Sequence, residues 1–298
     1  MANIIAVIWD CDKTLIDGYM QDPIFEEYGV DAAAFWREVH TAAEEYTKHN
    51  VRVNRDTYYL NHFIKRAHDG TFKGLNNQKL REYGQKQVFY NGVAELFKHT
   101  KTMFQDDKSY TEYGIQVEHY IVSTGFAEVI RGSGLARYVD GIWGCELADG
   151  PDQNGDPVIS EILYTIDNTS KTRALFEINK GAEIDVNSRI PEEHRRVHFE
   201  NMIYIADGPS DIPAFSVVKQ NGGATFAIYP KGDMDAMQQV ERMRADGRVD
   251  MYAEADYSEN TTAYMWITNQ IRRMAQRIRD TEKTKIRNSA SGTPKHLV

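Results

Sequence analysis

Cysteine is nearly absent from this 298-residue chain: there are two, Cys11 and Cys145, far apart in sequence. Two such thiols argue against a disulfide framework and fit a reducing compartment. Long apolar runs are missing as well. No stretch approaches the length of a membrane span, and the N-terminal apolar run is too short for a signal sequence and has no basic start. The expectation is a cytoplasmic, soluble protein with no membrane partner. Positive charge is in deficit, with 35 Lys and Arg against 44 Asp and Glu and a net charge of −9. That argues against nucleic acid as a partner but leaves room for a small anionic substrate, because the local field matters more than the net charge. Internal repeats and low-complexity stretches are lacking too. What remains is ordinary, 41% hydrophobic and 27% charged, at a length that suits one large domain or a core with an inserted subdomain.

Against that plain background one stretch stands out, Ile4-Ile5-Ala6-Val7-Ile8-Trp9-Asp10-Cys11-Asp12-Lys13-Thr14-Leu15. A continuous apolar run of strand length reads as a strand buried on both faces, as in a parallel sheet. It ends in two carboxylates, at the edge where open α/β sheets bind ligands. Charges so close repel unless a cation neutralises them, which suggests a hard divalent metal on oxygen ligands. Two further runs end in the same manner. Tyr120-Ile121-Val122 leads into Ser123-Thr124-Gly125, and Met202-Ile203-Tyr204-Ile205-Ala206 leads into Asp207-Gly208-Pro209-Ser210-Asp211. Ser170-Lys171-Thr172-Arg173 opens a helix between them.

The rest of the chain supplies the frame. The spacing of Ala34, Phe35, Val39, Ala42, Ala43 and Tyr46 predicts a helix over 31–50, with Asp31 as N-cap and Asn50 as stop. A second helix is expected from Asp56 to His68, and a shorter one around 78–83. Further strands are expected over 223–229 and 251–257, with a helix over 262–278 whose Ile267, Ile271, Met274 and Ile278 share one face. Its Arg272, Arg273, Arg277 and Arg279 read as a solvated face. The acidic stretch 149–156 reads as a hairpin tip rather than a calcium loop, since Gly150 stands where a first ligand belongs. His62, His68, His194 and His198 lack metal-binding spacing and read as surface residues.

Taken in order, Asp10-Cys11-Asp12-Lys13-Thr14, Ile121-Val122-Ser123-Thr124-Gly125, Lys171 and Asp207-Gly208-Pro209-Ser210-Asp211 resemble the four motifs of the haloacid dehalogenase superfamily of phosphotransferases. The layout, with a helical insertion directly after the first motif, looks most like its phosphoserine-phosphatase-like branch with a C1-type cap. Two departures are visible: Lys13 stands where the family often has Gly or Ser, and Ala206 replaces a common Gly. The resemblance implies an α/β fold, with a Rossmann-like parallel-sheet core at 1–17 and 90–282. It also implies an all-helical cap at 18–89, which leaves 283–298 as a flexible tail.

The resemblance further implies that Asp10 is the nucleophile and Asp12 the general acid and base. Mg2+ would be held by Asp10, the Asp12 backbone carbonyl and Asp207, with Asp211 as a further ligand or an orienter. Ser123, Thr124, Gly125 and Lys171 would bind phosphate, with Gly125 and Gly208 giving the backbone close approach. Three readings stay open beside these. Ser123 and Asp211 could each cap a helix, and Lys180 could stand in for Lys171. Arg52, Arg55, Lys65 and Arg66 are candidates to meet a substrate anion or to face solvent. Cys11 reads as a small buried side chain. The function expected is a magnesium-dependent phosphatase acting on a small phosphorylated metabolite. The alternatives are a phosphotransferase or phosphomutase on the same site, or a non-catalytic protein of the same fold. Intact Asp12 speaks against the last.

Overall fold

Ile4 through Trp9 are all buried, so both faces of β1 (Asn3–Trp9) must be covered. A central parallel strand meets that condition. In the computed structural model, which describes residues 3–290, β1 lies at the middle of a seven-stranded sheet. It pairs in parallel with β2 (Ile115–Phe126) on one side and β5 (Met202–Ala206) on the other. The parallel strands continue outward to β3 (Gly141–Pro151) beyond β2, and to β6 (Ala224–Tyr229) and β7 (Met251–Glu254) beyond β5. β4 (Pro157–Tyr164) forms the far edge, antiparallel to β3. The sheet is α/β and mostly parallel, as expected. Chain order runs away from β1 in both directions, so the crevice between β1 and β5 is a topological switch point.

Trp9, next to Asp10, is pinned from several sides. Its indole Nε1 donates to His119 Nδ1 at 3.0 Å, and His119 Nε2 lies 2.7 Å from Thr100 Oγ1. Burial pushes the His119 imidazole down to about 3, so it stays neutral and can accept from Trp9. Tyr257 packs edge-on against Trp9 and donates its phenol to Thr14 O at 2.6 Å. The backbone that presents Asp10 is held by the core.

Between β1 and the main body run four helices and no named strand: α1 (Asp22–Tyr28), α2 (Ala32–Lys48), α3 (Arg55–His68) and α4 (Asn77–Gly84). Asp31 caps α2 by accepting from Ala34 N, as its sequence predicts, and Asn50 adopts a left-handed φ of 60° just past its end. The cap of α3 is Asn54, two residues before the expected start. His62 is not a surface residue. It is 8% exposed, packs on the Phe35 ring and lies 3.0 Å from Glu38, because it shares the inward face of α3 with Tyr59 and Phe63. The short α1 went unread, since Ile24 and Phe25 are too few to show a period.

The insertion leaves and rejoins the core through a paired neck: Asp17 N donates to Val88 O and Tyr90 N to Leu15 O. It is also clamped elsewhere. Ile159 N of β4 donates to Leu75 O, and α4 lies against α7 (Ala127–Gly132), which follows α5 (Val93–Thr102) and the one-turn α6 (Lys108–Thr111). At the crossing of α4 and α7, Gly84 meets the backbone at Val129 and Gly132, and a Cβ on Gly132 would run into the Arg81 carbonyl. Two glycines allow the helix backbones to touch. Gly132→Ala should therefore force the helices apart and destabilise the fold by about 1–3 kcal/mol, read from urea unfolding. An unchanged midpoint would show that the crossing is loose.

The remaining helices cover the sheet: α8 (Ser170–Lys180), α9 (Ile212–Gln220), α10 (Met234–Ala245) and α11 (Thr262–Ala290). The residues 149–156 do form the hairpin end of β3 and β4, with Asp152 Oδ1 accepting from the Asn154 and Asp156 amides. Ile267, Ile271, Met274 and Ile278 of α11 all enter the core. The helix does not stop at 282, as the proposed tail requires, but continues to Ala290, since no Gly or Pro interrupts it there. Residues 291–298 of that tail lie outside the described residues. Among those described, no helix is long and apolar enough to cross a membrane.

Candidate active site

The register sets the three strand ends level. Trp9 lies opposite Ile121 on one side and Ile205 on the other, and Asp10 N donates to Ile205 O at 2.9 Å. Asp10, one residue past Trp9, and Ser123 and Asp207, two residues past Ile121 and Ile205, thus come to one edge of the sheet. From below, α8 brings Lys171, 1% exposed, whose Nζ lies 2.9 Å from Asp10 Oδ1 and 2.6 Å from Asp211 Oδ1. Lys180, the other candidate, is spent on the carbonyls of Val186 and Ser188.

Asp211 accepts from three groups. Besides Lys171, the Tyr204 phenol donates to Oδ1 at 2.6 Å and the Ser210 hydroxyl to Oδ2 at 2.9 Å. It occupies the N-cap position of α9 yet makes no cap bond, so it does not serve as a helix cap. Ser123 caps no helix either; its Oγ accepts from Gly125 N at 3.1 Å, and α7 begins after Phe126. Gly208 is extended, with φ −161°, so it makes no glycine-dependent turn. At Gly125 the close approach is real, but the neighbour is the Met20 thioether.

Burial sets the electrostatics. It raises the Asp10 carboxyl to about 6 against the pull of Lys171, and it raises Asp12 to about 7 with help from the charge on Asp10. Asp207 rises to about 8 from burial and from the charges of Asp10 and Asp211. Burial alone would lower the Lys171 ammonium, but Asp10 and Asp211 outweigh it and hold it well above its ordinary value. Cys11 is pushed well up by burial and the flanking carboxylates, so it stays a thiol and remains a small buried side chain.

Asp10, Asp207 and Asp211 each offer an oxygen within 4.8 Å of the others. Four carboxylates, counting Asp12, crowd around the Lys171 ammonium, with Lys13 acting on Asp207 besides, and a further cation would favour ionised Asp207 at neutral pH. A hard, oxygen-seeking divalent ion such as magnesium fits that donor set. The Asp12 side chain stands apart from the cluster: its Oδ1 accepts from Met20 N at 2.9 Å. Sequence reasoning missed Met20, which holds Asp12 through a backbone amide that no side-chain pattern reveals. It also missed Tyr59, whose phenol donates to Thr124 O at 2.6 Å, and Tyr204, whose one signal is a polar tip in an apolar strand.

Asp12 and Thr124 open onto a cavity of about 260 Å3 whose other walls come from the insertion, among them Tyr19, Gln21, Trp36, His40, Arg55, Asp56 and Tyr59. Of the four cations offered to a substrate anion, Arg55 alone lines this cavity. Arg66 is committed to Glu38 and Asp69. A larger cleft of about 560 Å3 lies at the neck, but Asp17, Asp22, Glu26 and Glu27 line it, which suits no phosphate.

These features, four motifs in order on a mostly parallel sheet with the motif residues at its switch point, go with a fold like that of haloacid dehalogenase family hydrolases and phosphoserine phosphatase. Solved structures agree on the fold. A haloacid dehalogenase family hydrolase of Salmonella enterica subsp. enterica serovar Typhi superposes with a TM-score of 0.51 at 16% identity, over 85% of this chain and 67% of that one. A substrate-bound phosphoserine phosphatase gives 0.51 at 18% identity, over 87% of this chain and 97% of that one. Its namesake in apo form gives 0.50 at 17% identity over the same shares, 87% and 97%. The chain belongs to one family with an uncharacterized protein of Borreliella burgdorferi, which is 36% identical over 283 residues, 90% of this chain and 97% of that protein. No family model matches.

Proposed function

We propose that the protein is a magnesium-dependent phosphatase that hydrolyses a small phosphomonoester through an aspartyl-phosphate on Asp10. The observation that carries this reading is the placement of two neighbouring carboxyls. Asp10 Oδ1 meets the Lys171 ammonium at 2.9 Å, which favours the carboxylate; Asp12 has its Oδ1 on the Met20 amide instead, and burial and the charge on Asp10 push its carboxyl up, so it can hold a proton. A nucleophile and a proton donor are needed in those two states at once.

Asp10 attacks phosphorus, the bond to the leaving oxygen breaks, and that oxygen takes the proton of Asp12. Asp12, now a carboxylate held by the Met20 amide, then takes a proton from water as the water oxygen attacks the same phosphorus. The bond from phosphorus to Asp10 breaks, which restores the carboxylate and frees phosphate. Lys171, Ser123, Thr124 and the Gly125 amide hold phosphoryl oxygens and offset their charge. Magnesium, held by Asp10, Asp207 and the Asp12 carbonyl with Asp211 orienting, would neutralise charge shared between substrate and carboxylates. Residues 18–89 act as the cap that selects the leaving group, with Arg55 offered to a substrate anion and the small cavity limiting size.

The test is phosphate release from an aryl phosphate and then from a panel of small phosphorylated metabolites, with magnesium and after exhaustive chelation. Turnover that survives chelation, or no release from any ester, would sink the proposal. Magnesium affinity should also depend on pH. Since Asp10 and Asp207 hold protons up to about 6 and about 8, the ion must displace them in acid. Apparent affinity should rise by up to about tenfold per pH unit for each displaced proton, and level off above the higher value. Tryptophan fluorescence titrations with magnesium across that range measure it, and a flat affinity counts against the carboxylate site.

A further inference from the structure

We propose that Tyr204 is a positioning residue for phosphoryl transfer, whose phenol fixes Asp211 so that Asp211 can hold Lys171 against Asp10. The proposal rests on the phosphatase reading above and adds a residue that the motifs do not contain.

Tyr204 lies in the middle of β5, paired with Ile8 of β1, and is fully buried between Ile203 and Ile205. Its ring packs edge-on against Phe215 at 5.3 Å. A hydroxyl in such a place is costly unless it is bonded, and here it donates to Asp211 Oδ1 at 2.6 Å. The same oxygen takes the Lys171 ammonium at 2.6 Å, and that ammonium reaches Asp10 Oδ1 at 2.9 Å. A chain of bonds therefore runs from Tyr204 through Asp211 and Lys171 to the nucleophile.

Nothing on its own helix fixes the Asp211 side chain, which makes no cap bond. Ser210, its other neutral donor, is an exposed serine whose hydroxyl meets the other oxygen, Oδ2, and leaves Oδ1 to Tyr204 and Lys171. The phenol is different, because the strand and Phe215 hold its ring rigidly. It also shares Oδ1 with Lys171, so the carboxylate cannot swing and draw the ammonium away from Asp10. Tyr204 touches no reacting atom; it acts through Asp211.

Tyr204→Phe keeps the ring and its packing and removes only the hydroxyl. With 4-nitrophenyl phosphate and magnesium, kcat should fall about 10–100-fold while KM stays within about threefold, the effect of one lost buried hydrogen bond felt in the transition state. Inhibition by orthovanadate should weaken by a similar factor. In an Asp211→Ala background, which removes the shared acceptor, the same change should cost less than about twofold, because both substitutions break one chain. An unchanged kcat in the single variant overturns the proposal. So does an equal penalty in both backgrounds, which would mean that Tyr204 acts through packing.

A readout without turnover covers the other failures. Acetylation of Lys171 by acetic anhydride, followed by peptide mass spectrometry, should run at least about tenfold faster in Tyr204→Phe, once the anchor is loosened. If the unsubstituted protein cleaves no ester, the phosphatase reading falls while this arm still decides the anchor. It also decides if Asp211→Ala does not fold. Equal labelling rates would show that Tyr204 holds nothing in place.

Discussion

Asp12→Asn should leave a phosphoryl group stranded on Asp10. The amide keeps the shape of the carboxylate and can still take the Met20 amide proton that now holds Asp12 Oδ1 at 2.9 Å, so the local geometry survives. What it loses is the ability to move a proton. An aryl phosphate carries a good leaving group, so the first displacement needs little help and Asp10 should still be phosphorylated. Hydrolysis of that intermediate needs a base for the attacking water, and none remains. Turnover should fall by about 10²–10⁴-fold, the usual effect of losing a general acid and base, while the adduct accumulates. Asp10→Asn should behave otherwise, losing turnover and adduct together, because a neutral amide attacks phosphorus poorly. Mass spectrometry of acid-quenched protein distinguishes the cases. An adduct on Asp12 or Ser123 would overturn the assignment of roles.

Lys171→Met should damage stability and activity together. Lys171 is the only cation in direct contact with Asp10 and Asp211 among the described residues, and all three side chains are nearly inaccessible to water. Removing one partner of such a cluster leaves uncompensated buried charge, which costs about 3–5 kcal/mol. Loss of a preorganised cation at the transferring group lowers kcat by about 10²–10³-fold.

The stability loss should depend on pH in a definite sense. Even with Lys171 present, Asp10 sits at about 6, above its ordinary 3.8, so the native state holds the proton more tightly than the unfolded chain. That contribution is complete below the unfolded value and disappears as pH rises through the folded one. Without Lys171 the Asp10 carboxyl rises further, so the variant should be closest to the unsubstituted protein near pH 5 and furthest from it near pH 8. Urea unfolding at the two values measures the gap. A gap that widens on acidification would contradict the cluster described above.

How much of this was legible depended on whether the signal was local. The strand Met202–Ala206 could be read residue for residue, because five buried apolar positions in a row end sharply at Asp207. The face of α11 was legible from its period, but its end was not, since exposed helix beyond Ile278 carries no apolar stripe to count. His62 was misread because one polar residue says nothing about which face it occupies until α2 packs against α3. The motif carboxylates were visible by their position after strands, whereas Met20, Tyr59 and Tyr204 were not, because each acts through a partner remote in sequence or through its backbone.

By itself the sequence determined which groups are present at each strand end, because side-chain period and chain punctuation are local properties of a buried strand. It could not say which of Lys171 and Lys180 lies beside Asp10, or whether Asp211 caps a helix. Those choices needed the distance from α8 to the switch point, and the tertiary structure decided them. Only when β1, β5 and α8 pack does one ammonium come within bonding reach of Asp10 and Asp211, excluded from water. Burial then raises the carboxyls of Asp10, Asp12 and Asp207 together, since desolvation is a property of the packed site and not of any residue within it.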